Sequence, residues 1–130
     1  MVEALRSEWI SSGPYVSRLE EQVSGVFSVA HALAVSNGTT ALHLAYLALE
    51  LRPGDEVIIP AFSYLAAANV AIQLGLVPVF ADVDPETFCM TADSVSKVLS
   101  GRTRVVVAIH TYGSMCDVDE IMKVCAPFNA

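Results

Sequence analysis

Cations are what this chain of 130 residues has least of: two lysines, Lys97 and Lys123, and five arginines stand against 14 acids, for a net charge of −7. No stretch gathers them into a basic stripe, which excludes the electrostatic footprint of a nucleic-acid binder. Charged residues of both signs make up only 16% of the chain and hydrophobic ones 54%, which argues against disorder. The three cysteines, Cys89, Cys116 and Cys125, are odd in number and lack CxxC spacing. They read as reduced cytosolic thiols, not a disulfide framework or a zinc site, and no other cluster has the spacing of a metal site. The opening residues, Met-Val-Glu-Ala-Leu-Arg-Ser-Glu, lack the basic start and apolar run of a signal peptide. A cytoplasmic location is therefore expected. Repeats and low-complexity linkers are missing too, so a single domain is expected.

What is present is a set of short apolar runs. The stretch from Val57 to Ala81 carries no charge and is long enough to span a bilayer. Pro60, Ser63, Asn69, Gln73, Gly75 and Pro78 interrupt it, so it reads as strand, helix and strand with no membrane association. So apolar a composition implies segments buried on both sides, as central parallel strands are.

Val16, Leu19, Val23 and Phe27 recur at helical spacing, which predicts an amphipathic helix over 14–26 entered through Gly13-Pro14. Ala32–Val35 reads as a short strand. A helix follows from about Thr39 to Leu51, stopped by Arg52-Pro53-Gly54-Asp55, whose Pro-Gly pair fits a type II turn. Further strands are expected at Val57–Pro60 and Val77–Ala81, with a helix over 64–74 between them closed by Gly75. Asp82–Pro85 reads as a turn. Thr91 should cap a helix to about Leu99, with Ser94 and Lys97 on its wet face. Arg104–Ile109 reads most clearly as a buried strand, and a last helix follows Asp117. This alternation predicts an α/β fold with a parallel sheet, whose ligands bind at the carboxyl ends of the strands.

Three loops lie at such ends. Ser36-Asn37-Gly38-Thr39-Thr40 leads into a helix, where unpaired amides, the helix dipole and threonine hydroxyls suit a phosphate. The same residues also make an ordinary N-cap with a turn glycine. The loop is neither a Walker A sequence nor a GxGxxG fingerprint. Pro60-Ala61-Phe62-Ser63-Tyr64 brings an aromatic ring that could stack on a flat cofactor or simply pack on a helix. His110-Thr111-Tyr112-Gly113 offers a histidine for acid, base or ligand contact, or for a bond to backbone. His31 and His43 are isolated and read as structural, and no Ser-His-Asp arrangement is visible.

In order, Ala34-Val-Ser-Asn-Gly-Thr-Thr-Ala-Leu-His43, Pro53-Gly-Asp-Glu-Val-Ile-Ile-Pro60, Asp82-Val-Asp84 and His110-Thr-Tyr-Gly113 resemble the DegT/DnrJ/EryC1/StrS aminotransferases. These are the sugar aminotransferase branch of the fold-type I enzymes that use pyridoxal 5′-phosphate (PLP). The upstream Trp9-Ile-Ser-Ser-Gly-Pro14 and Leu19-Glu20-Glu21 are similar to the opening of that family.

The resemblance implies a partial three-layer α/β/α large domain with a mainly parallel sheet, of which residues 1–130 form the N-terminal portion. It implies that Gly38, Thr39 and the Thr40 backbone hold the PLP phosphate. It places Tyr64, with Phe62 as the second candidate, over the pyridine ring. Ser12, Gly13, His110 and Tyr112 would border the substrate. The implied reaction moves an amino group, from glutamate as donor, to a keto group on a nucleotide-linked sugar, in an enzyme that is a homodimer. The family's Schiff-base lysine and the acid on the pyridinium nitrogen match no position here, and neither Lys97 nor Lys123 suits the lysine's role. The stretch by itself is therefore expected to be inactive. Two alternatives stand beside this reading: part of a dehydratase using the amine form of the cofactor (PMP), and a non-catalytic subunit pairing with a longer relative.

Overall fold

The computed structural model describes residues 2–6, 9, 12–128 and 130. Ile10 and Ser11 of the Trp9–Pro14 motif lie outside the described residues. The chain divides into two compact units, Met1–Ser36 and Asn37–Ala130.

In the first unit, α1 (Val2–Arg6) precedes α2 (Pro14–Phe27). Pro14 begins α2 because its fixed φ suits the first turn and its missing N–H would have had no acceptor there. At the other end Ser28 turns left-handed, with φ 52°. The Val29 N–H reaches Ser24 O at 3.1 Å, closing the helix. None of the residues of α2 is buried. The strand expected at Ala32–Val35 is not formed. An extended segment becomes a strand only when a neighbouring strand takes its backbone groups, and here the Ala34 N–H goes instead to Glu20 Oε1 at 2.9 Å.

The second unit runs α3 (Gly38–Ala48), β1 (Glu56–Pro60), α4 (Ala66–Gln73), β2 (Val77–Ala81), α5 (Ala92–Ser96), β3 (Thr103–Val106) and α6 (Val118–Cys125). The strands form a parallel sheet in the order β2-β1-β3. Glu56 faces Val77 on one side and Thr103 on the other, with a bulge at Glu56/Val57 towards β3. Every residue of β1 is buried. Its alternate side chains feed two cores: Val57 and Ile59 pack with Tyr46, Ala67, Val70 and Ala71, while Ile58 packs on the other face with Met90, Val95 and Ile121. The result is the expected layering, with α3 and α4 contributing to one core and α5 and α6 to the other.

The Arg52–Asp55 turn forms: Asp55 N–H donates to Arg52 O at 3.0 Å, and Gly54 has the positive φ, 93°, of a type II turn. Gly75 closes α4 as expected. Its φ is 73°, its N–H reaches Ile72 O, and the Leu76 N–H reaches Ala71 O at 2.9 Å, which is the Schellman pattern. The uncharged run from Val57 to Ala81 is indeed strand, helix and strand. Among the described residues no helix is long and apolar enough to cross a membrane.

Two further expectations are corrected. The last strand is shorter than Arg104–Ile109 and only half-buried beyond Thr103. Among the described residues it pairs with β1 alone, and the fully buried strand is β1. Ser94 does not face solvent. It is buried, and with Thr91 it makes a reciprocal capping box in which each hydroxyl accepts the other residue's N–H at 3.1 Å.

Candidate functional site

The head of α3 is built by Asn37. Its backbone is extended (φ −167°), and its Oδ1 accepts the Thr40 N–H at 2.9 Å and the Thr40 hydroxyl at 3.2 Å. Thr40 is thus engaged in the cap, and its amide is turned onto Asn37. The amides of Gly38 and Thr39 are first-turn donors without an intrahelical acceptor. A Cβ at Gly38 would meet nothing within 4 Å, so a ligand can approach this backbone closely.

The strands bring two loops to the same place. At the end of β1, Ala61 N–H donates to Ala81 O at 2.8 Å and Ser63 Oγ to Pro60 O at 3.3 Å. This turn carries Tyr64 outward, 85% exposed. Beyond β3, Val107 N–H still donates to Ile58 O at 2.9 Å before the chain leaves the sheet. His110 follows, and its Nδ1 accepts the Cys116 N–H at 3.1 Å. A neutral imidazole held this way carries its proton on Nε2.

Gly38, Thr39, Tyr64 and His110 line one cleft of about 660 Å³, floored by Leu42, Ala67 and Val107. Tyr64 and His110 also line an adjoining space of about 410 Å³ with Phe62 and Tyr112. The structure therefore gathers four of the residues singled out in sequence, Gly38, Thr39, Tyr64 and His110, into one cleft, and places Tyr112 next door. Phe62 does not stand alone: its ring lies 5.3 Å from that of Phe88 and 6.4 Å from that of Tyr112, and Phe88 meets Tyr112 edge-on at 5.9 Å. Both Phe88 (φ 58°) and Tyr112 (φ 53°) hold left-handed backbone, which side chains of this size rarely adopt and which clusters near binding sites. Phe88 carried no signal in the sequence, because a lone aromatic in a polar turn has no periodicity to mark it.

Ser12 and Gly13 belong to the first unit. Both have positive φ, 57° and 92°. A Cβ on Gly13 would come within 3.1 Å of the Trp9 ring, so glycine is needed there for packing as well as for φ. Lys97 and Lys123 are exposed and paired with Asp93 and Glu120 on their own helical segments; neither lines the cleft. Among the described residues no group of His, Cys, Asp and Glu could hold a metal ion.

The cleft fits a flat, phosphorylated ring. Two unpaired amides and a hydroxyl at a helix head suit the phosphate, an exposed ring suits stacking, and an apolar floor suits the ring's body. The chain matches the DegT/DnrJ/EryC1/StrS aminotransferase family over residues 1–129. It is 40% identical over 124 residues to GDP-perosamine synthase of Vibrio cholerae, which covers 95% of this chain and 34% of that protein. The chain thus spans about a third of the length of the curated relatives it matches. Among solved structures, NtdA of Bacillus subtilis with bound PMP superposes with a TM-score of 0.91 at 34% identity, over 98% of this chain and 29% of that one. The Escherichia coli GDP-4-keto-6-deoxy-D-mannose-3-dehydratase with bound hydrated PLP gives 0.90 at 29% identity, over 98% and 34%.

Proposed function

Because the chain belongs to the DegT/DnrJ/EryC1/StrS aminotransferase family, we propose that it forms the phosphate-and-ring half of a PLP site in an enzyme that aminates a nucleotide-linked keto sugar. The observation that carries this reading is that Gly38 and Thr39, at the head of α3, line the same cleft as Tyr64 and His110.

In this reading Gly38 and Thr39 hold the phosphate through their N–H groups and the Thr39 hydroxyl. Thr40 acts through the Asn37 cap, which fixes the direction of the first helical turn. Tyr64 covers one face of the pyridine ring, and the Leu42, Ala67 and Val107 floor keeps water from the other side. His110, with Nδ1 held by the Cys116 amide, presents an Nε2–H donor to the cleft. Tyr112 faces the sugar nucleotide. When bound, the cofactor supplies an electron sink that lets an amino group pass from glutamate to the keto carbon. Neither Lys97 nor Lys123 binds it covalently, since each is exposed and paired away from the cleft. The complete enzyme is read as a cytoplasmic homodimer, which the buried, unbridged cysteines support as to compartment.

Transfer is favoured over dehydration by identity, 40% to the perosamine synthase against 29% to the dehydratase. The test is a Thr39→Val substitution with PLP retention measured by equilibrium dialysis. Loss of the hydroxyl should weaken binding roughly tenfold, the worth of one hydrogen bond of about 1.4 kcal/mol. Unaltered affinity would reject the role given to Thr39.

A further inference from the structure

The space of about 410 Å³ that adjoins the cleft is lined by Phe62, Tyr64, His110, Thr111 and Tyr112, and no acid, lysine or arginine lines it. Its aromatic wall is held from behind the lining. The Phe62 and Tyr112 rings stand 6.4 Å apart, and Phe88, which does not line the space, packs on Phe62 at 5.3 Å and edge-on to Tyr112 at 5.9 Å. Tyr112 is 84% exposed, so these ring contacts, not burial, fix where it stands. Thr111 commits its backbone to the turn: its N–H donates to Ile109 O at 3.1 Å, and its carbonyl accepts the Ser114 N–H at 2.9 Å. Its hydroxyl is different. Among the described residues it is the one buried side-chain polar atom without a hydrogen-bond partner.

We propose that this space is the subsite for an uncharged pyranose ring, read by the Thr111 hydroxyl, with Phe88 as the positioning residue that holds Tyr112 against it. A buried hydroxyl left unbonded is destabilising, and a ligand that bonds it removes that penalty. The Thr111 hydroxyl swings among staggered positions about its Cα–Cβ bond, so a sugar hydroxyl in the space can draw it out as donor or acceptor. His110 supplies a fixed donor beside it, since the Cys116 N–H on Nδ1 leaves the proton on Nε2. The faces of Phe62 and Tyr112 carry the negative side of a ring quadrupole and attract the C–H face of a pyranose.

The choice of ring over base rests on the function proposed above. Tyr64 and His110 line both this space and the cleft, so a group that must meet the cofactor, the keto-bearing sugar, is the part of the substrate that arrives here. Charge narrows the class further. A carboxylate on the sugar would meet no cation in the space and would enter a chain of net charge −7, losing its hydration without a counterion. Neutral hexoses are accepted, and uronic acids are not.

The test is a titration of the ring-labelled protein, followed by carbon–proton NMR of its aromatic signals, with GDP-mannose, GDP-mannuronate and GDP alone. The two sugars differ only in bearing –CH2OH or a carboxylate at C6. GDP-mannose should shift the Phe62 and Tyr112 rings, GDP-mannuronate should need a roughly tenfold higher concentration, the worth of one lost favourable contact, and GDP alone should leave both rings unmoved. Thr111→Val should weaken GDP-mannose by a similar factor, yet the urea midpoint of the free protein should not fall, because the hydroxyl bonds nothing there; Thr111→Ser should keep the binding. Phe88→Leu should displace the Tyr112 ring signals in the free protein and weaken GDP-mannose. Rings that respond to GDP alone, to mannose and mannuronate equally, or to neither sugar would overturn the proposal, as would unaltered binding by Thr111→Val. Failure of the cofactor reading shows separately, in the response of the Gly38 and Thr39 amides to pyridoxal 5′-phosphate.

Discussion

Glu56 meets Arg102 at 2.6 Å at the amino end of the central strand, the end of the sheet away from the cleft. The carboxylate is buried, with Ser100 and Thr103 hydroxyls donating to it, whereas Arg102 is largely exposed. Fold and site can therefore be perturbed separately. The Ser100 hydroxyl, and after it the Arg102 guanidinium, hold the Glu56 carboxyl below the usual carboxylate range. A depressed acid stabilises the fold above its unfolded pKa and loses that contribution as pH falls through the folded value. Glu56→Gln should cost about 2 kcal/mol near neutrality, the worth of a hydrogen-bonded charge, and should flatten the acid limb of a stability–pH profile. Urea titrations across the acid range check both; an unchanged acid limb would refute the assignment.

At the other extreme of pH, Tyr46 governs. It is buried between α3 and α4, its hydroxyl donates to Ala67 O at 3.3 Å, and burial raises its pKa to about 12. The folded state keeps that proton where the unfolded chain releases it, so stability falls as pH rises from about 10 towards 12, by at most about 1.4 kcal/mol per pH unit. Tyr46→Phe should lose about 1 kcal/mol at neutral pH and remove this alkaline slope. Denaturant melts at rising pH measure it.

The Asn37 cap predicts a local effect. Asn37→Ala should destabilise by about 1 kcal/mol and speed hydrogen exchange at Thr40, whereas Asn37→Asp should preserve both. Thermal melts and exchange of the Thr40 amide distinguish a cap from an idle loop.

For His110, the Cys116 N–H on Nδ1 fixes the neutral tautomer as Nε2–H. Nitrogen NMR of labelled imidazole should report that form; Nδ1–H as the major neutral species would contradict the geometry.

Much of this was legible in the sequence because backbone chemistry announces itself. Pro53-Gly54 and Gly75 mark turns that only certain residues permit, Thr91 marks a cap, and the uncharged run Val57–Pro60 marks a strand. What escaped depends on partners distant in sequence. Ala32–Val35 has strand composition but no strand beside it. Arg104–Ile109 reads as one strand, but pairing with β1 ends the strand at Val106. Thr40 looks like a ligand until Asn37 claims its amide. The grouping of Phe88 with Phe62 and Tyr112 arises only on folding, since nothing in those segments refers to the others.

The most direct measurement is an amide NMR titration of the protein with pyridoxal 5′-phosphate and, separately, with pyridoxal. The phosphorylated ligand should shift the Gly38 and Thr39 amides strongly, and pyridoxal should leave those two nearly unmoved while still perturbing residues around Tyr64. Equal shifts with both ligands, or none at Gly38 and Thr39, would contradict a phosphate grip at the head of α3.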